Sequence, residues 1–241
     1  MINKNNRNND YKLNEYEKKD GFFNFSLYKR MVKISLVNKA ITDKLAKNVV
    51  ILDPAGLSYM KSSFLGAGGA SGAIYKLINV NKPNNDVITH FNKFKSEDDL
   101  YKNNSANLSV ARFGSYNDNQ IKIIHAIGPD FRNSKYLQDI LSNTQQTDKL
   151  FFKLYEDVYI EFIKAVGDNR NKLTLRLLPV SSGIFINNDF ISKIKLFKAM
   201  LNAYVKLNEK YKIQPKIYLY DKTDYDIMKF LAKTMQKLNL I

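Results

Sequence analysis

Four of the ten glycines in this chain fall within seven residues, in the run Gly66-Ala67-Gly68-Gly69-Ala70-Ser71-Gly72. Upstream lies the continuous apolar run Val49-Val50-Ile51-Leu52, and directly downstream residues 73–79 carry a helical pattern. A β-branched run of that kind reads as a strand buried on both faces. Glycines clustered between such a strand and a helix mean that backbone must turn sharply or approach something closely. Free N–H groups leading into a helix N-terminus also suit an anion, of which phosphate is the commonest. The plainer reading is a tight turn that needs positive φ.

The same strand–loop–helix rhythm recurs along the chain. Residues 32–37 (VKISLV) alternate as a strand, and residues 42–47 read as a short helix closed by Asn48. Pro54 is expected to stop the ladder after residue 52. A loop covers residues 82–86, and residues 87–102 are ambiguous, with a helix in their second half. Residues 120–127 (QIKIIHAI) read as a strand ended by Gly128-Pro129. Residues 150–166 place Phe151, Leu154, Tyr155, Val158, Phe162 and Val166 at helical spacing. A strand at 173–178, a helix at 189–208, a strand at 216–220 and a helix at 225–238 complete the pattern. Strands that alternate with helices and end in Gly, Pro or Ser clusters predict an α/β sheet with its ligand site at the strand carboxyl ends. Residues 1 to about 20 are polar and asparagine-rich and read as a disordered or loosely attached arm. Residues 21–30 turn aromatic and read as an extension packed on the core that starts at residue 31.

The 241 residues, 44% of them hydrophobic, suffice for a sizeable core. Cysteine is absent, which removes disulfides, thiolate ligands and thiol nucleophiles. The two histidines, His90 and His125, have no carboxylate-rich spacing around them, so no protein-bound metal and no cofactor is expected. No apolar run is long enough for a membrane span and no signal peptide opens the chain. The expectation is an intracellular monomer, cytoplasmic or nuclear, without membrane contact. The formal charge of +15 permits polyanionic partners, although plain lysine-rich surface helices yield the same sum.

Two common phosphate loops do not fit. A Walker loop ends in Gly-Lys-Ser/Thr, whereas Gly72 is followed by Ala73-Ile74. The dinucleotide fingerprint requires glycine where Ser71 stands. Four segments, in order, carry a different pattern: 49–56 (VVILDPAG), 66–75 (GAGGASGAIY), 124–129 (IHAIGP) and 179–185 (PVSSGIF). Together with 217–221 (IYLYD) they resemble the macro domain, an ADP-ribose-binding α/β module, over residues 31–241. The resemblance implies a three-layer α/β/α fold with a central mixed sheet. It also implies two loops that clamp a diphosphate through backbone N–H groups: Gly66, Ala67, Gly68, Gly69, Ala70, Ser71 and Gly72 in one, Ser181, Ser182, Gly183, Ile184 and Phe185 in the other. By the same resemblance Phe185 lies beside the diphosphate and distal ribose, Tyr220 faces adenine, and the Ile41 N–H serves the base. Core packing is the competing reading for Phe185 and Tyr220. His125, in a buried strand before a Gly-Pro turn, reads as structural.

The sequence departs from the family at three places. The acidic residue that accepts from the adenine amino group falls at Ala40, with Asn38 and Asp43 as the open substitutes. The paired asparagines after the buried strand become Asp53 and Gly56, which remain weaker candidates at the site, and residues 57–64 are extra. Ser71 stands where hydrolytic members often carry an aspartate. Water activation next to an anomeric carbon would fall to Asp53 or Ser71, and no catalytic residue is assigned. The expected function is binding of ADP-ribose or ADP-ribosylated protein without efficient catalysis. The alternatives are a mono-ADP-ribosyl hydrolase, an ADP-ribose-phosphate phosphatase, and a basic module for RNA or poly(ADP-ribose).

Overall fold

The structure, a computed structural model, describes residues 16–18, 22–27, 30–102, 108–132, 134–167, 172–186 and 189–237. Residues 1–15 of the expected arm lie outside the described residues.

In chain order the strands are β1 (Tyr16–Lys18), β2 (Phe22–Leu27), β3 (Arg30–Val37), β4 (Val49–Ala55), β5 (Ala111–Tyr116), β6 (Ile121–Ile127), β7 (Thr174–Leu177) and β8 (Lys216–Tyr218). The helices are α1 (Leu57–Lys61), α2 (Gly69–Ile78), α3 (Asn85–Phe91), α4 (Glu97–Lys102), α5 (Lys135–Ser142), α6 (Thr144–Val166), α7 (Phe190–Tyr211) and α8 (Lys222–Lys237). The strands form one sheet in the order β1-β2-β3-β8-β7-β4-β6-β5. The five central strands, from β3 to β6, run parallel, while β1, β2 and β5 are antiparallel additions at the two edges. This is the mixed sheet flanked by helices that the sequence predicts.

Burial follows from the topology. Residues 49–53 of β4 are buried throughout, because β4 sits between β7 and β6 and carries helices on its faces. The long helices α6 and α7 pack together through Tyr159 and Tyr204, and each phenol finds a partner, Tyr159 OH on Asn208 Oδ1 and Tyr204 OH on Pro215 O. A buried phenol without a partner would cost about 1–3 kcal/mol, so these bonds make aromatic packing here tolerable.

Several local expectations are corrected. Residues 42–47 form turns rather than a helix. Arg176 of β7 takes the carbonyls of Ile41, Asp43 and Lys44, and Lys44 adopts a φ of +44° that breaks helical geometry. Pro54 does not stop β4, which pairs with β6 through Pro54↔Ala126. Pairing with β7 ends at Ile51, so the missing proline N–H falls on the side with no partner strand. The segment 87–102 resolves into α3 and α4. β5 and α5 have no counterpart in the sequence reading. Gly114 interrupts the alternation of β5, and the space it leaves is taken by the Tyr116 hydroxyl, 3.0 Å from a would-be Cβ.

Candidate functional site

All five parallel strands present their carboxyl ends on one edge of the sheet, and the two predicted loops leave that edge from the neighbouring strands β4 and β7. The first loop runs from Asp53 through α1 to α2. Gly66 and Gly69 have φ of +81° and +58°, which a residue with a Cβ adopts only at a cost. Gly72 answers a different need: a Cβ there would lie 2.4 Å from Ala67 O, so the loop folds directly over the first turn of α2. The other helix starts are closed by side chains. Asn84, Ser134, Asn143 and Asp189 cap α3, α5, α6 and α7, and Glu97 Oε1 accepts from Leu57 N at α1. α2 begins on Gly68 with no side-chain cap, and the amides of residues 69–71 precede its first intrahelical bond, Gly72 N to Gly68 O at 3.0 Å. The first amides of α2 thus have neither an intrahelical partner nor a side-chain cap among the described residues.

Beneath that helix start lies a buried polar network that sequence reasoning did not assemble. Asp53 and His125, both 0% exposed, sit side by side on β4 and β6. Asp53 Oδ1 accepts from Ser71 Oγ at 2.6 Å, and Oδ2 accepts from Tyr75 OH at 2.6 Å and from His125 Nδ1 at 2.7 Å. His125 Nε2 then pairs with Tyr116 OH at 2.7 Å. Nδ1–H is donated to the carboxylate, which leaves Nε2 to pair with the tyrosine hydroxyl. Burial, followed by the nearby Asp53 charge, pushes the Tyr75 phenol far above its ordinary range, so Tyr75 stays a donor. Burial raises Tyr116 likewise. Ser71 and Tyr75 stand one turn apart on α2, and Phe64 stacks on Tyr75 with centroids 3.8 Å apart. The carboxylate therefore anchors α2 to the sheet through two charge-assisted bonds, from Ser71 and Tyr75, and ties β4 to β6 through the third, from His125.

This corrects the expectation for Asp53. Both its oxygens are engaged inside the fold, and the side chain has no exposed surface. Gly56 is the N-cap of α1, its carbonyl accepting from Tyr59 N at 3.1 Å, rather than part of an open turn. Ser71 is buried, with its hydroxyl on Asp53 and Pro54 O. Gly66, Gly68 and Gly69 are exposed, and Ala67, Ala70 and Gly72 half-buried.

The second loop is braced from below and from the side. Tyr155 of α6 donates its O–H to Leu178 O at 2.9 Å and accepts from Val180 N at 3.1 Å. Ser181 is buried with a φ of +62°, and its Oγ has no partner among the described residues. Ser182 Oγ donates back to Pro179 O at 3.0 Å. Gly183 and Ile184 are exposed, and Ile184 opens a single 3-10 turn through Ile186 that also holds half-buried Phe185. The turn after β6 couples the two loops. Gly128 N donates to Ala55 O at 3.4 Å, and a Cβ on Gly128 would lie 2.5 Å from both Ser181 Oγ and Val180 Cγ1. Phe131 N donates to Phe185 O at 3.0 Å.

A cation unexpected from the sequence also stands here. The Arg132 guanidinium lies over the Phe185 ring, 5.2 Å from its centroid, and grips Asp130 through Nε and Nη2 at 2.9 and 2.6 Å. Burial alone would raise the Asp130 carboxyl, but Arg132 more than offsets it and holds Asp130 below the usual range. Only the pairing of a GPDFR turn with a distant loop reveals Arg132, and no local pattern marks that. Past the carboxyl ends of the paired strands β3 and β8, Ile41 is buried while Tyr220 is 84% exposed. A separate hollow of about 360 Å³ between α4, α5 and α6 shares no residue with either loop. No helix of the described residues is long and apolar enough to cross a membrane.

No family model and no curated protein matches the sequence. Solved structures do resemble the fold. An Oceanobacillus iheyensis macrodomain with MES bound is similar at a TM-score of 0.54 and 18% identity, over 90% of this chain and 97% of that one. The same macrodomain with ADP gives 0.54 and 18%, over 92% and 96%. A Trypanosoma brucei macrodomain in complex with ADP gives 0.51 and 14%, over 83% and 68%. At these identities the likeness establishes the fold: the chain has the macrodomain architecture.

Proposed function

We propose that this chain is a divergent macro domain that holds ADP-ribose, free or attached to protein, and does not cleave it efficiently. The observation that carries this reading is the uncapped start of α2 beside a braced second loop, on adjacent parallel strands. That arrangement offers oriented amides, and a helix N-terminus, to a diphosphate. The structures with ADP and ADP-ribose bound are of proteins with the same fold, which supports the ligand class.

The withdrawn side chains favour a reader over a hydrolase. General-base chemistry requires a group within hydrogen-bond reach of the attacking water. Asp53 accepts three internal hydrogen bonds, one of them donated by the Ser71 hydroxyl. Isothermal calorimetry tests the binding claim: ADP-ribose titrates to one site and AMP competes weakly, whereas no heat up to millimolar ligand overturns it. Incubation with mono-ADP-ribosylated protein tests the rest. Label retained at stoichiometric protein agrees, and rapid release makes the chain an enzyme.

A further inference from the structure

We propose that the hollow between α4, α5 and α6 is a second ligand site, which takes a medium-chain carboxylate with its apolar tail inside and its acid group on Lys149 at the mouth. The hollow shares no residue with the two loops, so the assignment stands apart from the ADP-ribose reading. At about 360 Å³ it lies within the roughly 300–1,000 Å³ typical of small-molecule pockets.

The sequence of α6 builds one wall. Lys149, Leu150, Lys153 and Leu154 recur at helical spacing and so share a face of the helix, with Leu154 fully buried, Leu150 half-buried and both lysines exposed. Ile140 and Tyr136, one turn apart on α5, form the facing wall, and Val110 closes the floor. The two phenols inside are already committed to carbonyls. Tyr101 OH donates to Ile127 O, and Tyr136 OH donates to Tyr101 O at 3.3 Å. Their rings are therefore left as walls, and an apolar tail beside them displaces no hydrogen bond of either hydroxyl.

The charge at the mouth selects the head group. Among the described residues no Asp or Glu lines the hollow. The nearest acid along the same helix, Asp157, is buried and has both oxygens engaged, Oδ1 with Lys153 Nζ and Oδ2 with Val110 N at 2.9 Å. Lys153 is thus already paired, whereas Lys149 Nζ has no partner among the described residues. A mouth with one spare ammonium and no open acid favours a single negative charge and repels a cation. Burial of the tail supplies most of the affinity, and the charge discriminates among head groups.

The test titrates octanoate into the isotope-labelled full chain, followed by amide-resolved NMR. Saturable one-site shifts are expected at Val110, Tyr136, Leu150 and Leu154, with residues 66–72 unmoved. Octanol should reach the same residues about two- to fivefold more weakly, the factor that one solvent-exposed charge pair gives, and octylammonium more weakly again. Lys149→Gln, a change at an exposed position, should bring octanoate down towards octanol and leave octanol itself unchanged. Leu108→Trp, which fills the hollow from a half-buried position in its wall, should weaken both. No saturable shift at these residues, equal binding of the three head groups, a preference that survives in Lys149→Gln, or undiminished binding to Leu108→Trp overturns the assignment.

Discussion

Asp53 gives the sharpest energetic prediction. Alanine at this position leaves two buried donors, Tyr75 OH and His125 Nδ1, facing an empty space, while Ser71 Oγ keeps Pro54 O at 3.2 Å. Each unsatisfied buried donor costs about 1–3 kcal/mol, so Asp53→Ala should destabilise the fold by about 2–6 kcal/mol. That is a large share of the roughly 5–15 kcal/mol by which a domain is stable. Asn is a gentler change. Its oxygen can keep Tyr75 and His125, while its NH2 turns to Ser71, whose hydroxyl then donates to Pro54 O, already 3.2 Å away. What remains is the loss of charge assistance, about 1–2 kcal/mol in total. Urea unfolding at constant m-value reads both numbers. Because Ser71 opens α2, Asp53→Asn should also weaken ADP-ribose by a few-fold, whereas Asp53→Ala should abolish binding. An Asp53→Ala protein within 1 kcal/mol of wild type would refute the anchoring role.

Three further outcomes follow from the same contacts. Gly128→Ala should cost about 1–3 kcal/mol and weaken ligand binding, because its Cβ meets Ser181 and Val180 at 2.5 Å; calorimetry and urea melts measure the pair. Tyr155→Phe strips the brace from Leu178 O and Val180 N, and should cost about 1–3 kcal/mol and loosen the second loop, read as faster amide exchange at Val180. Burial lowers the His90 pKa below its ordinary 6.5, so the unfolded chain binds the extra proton first. Stability is therefore fully present above pH 6.5 and declines as pH falls below it, and His90→Gln should flatten that part of a melting-temperature profile.

The sheet and both loops were legible because their signals are local. A β-branched run ending in a turn, a glycine cluster before a helix, and PVSSGIF each declare backbone geometry within ten residues. What escaped is set by contacts across the fold. The turn at 42–47 looks helical until Arg176, more than 130 residues away, claims its carbonyls. Asp53 reads as a weaker site candidate only because it falls where the resemblance places one of the paired asparagines. Ser71, Tyr75, His125 and Tyr116 converge on it from three other elements, and no single-sequence spacing displays that convergence. Arg132 is invisible for the same reason, since its partner ring lies on a loop more than fifty positions away.

The central claim is that two backbone loops hold one diphosphate-linked ligand at the carboxyl edge of the sheet. Amide-resolved NMR during an ADP-ribose titration addresses it most directly. The account predicts saturable, one-site shifts at residues 66–72 and 181–185, with Ile41 and Tyr220 moving on the same curve. Shifts scattered over the lysine-rich helix surfaces, or none at millimolar ligand, would contradict it.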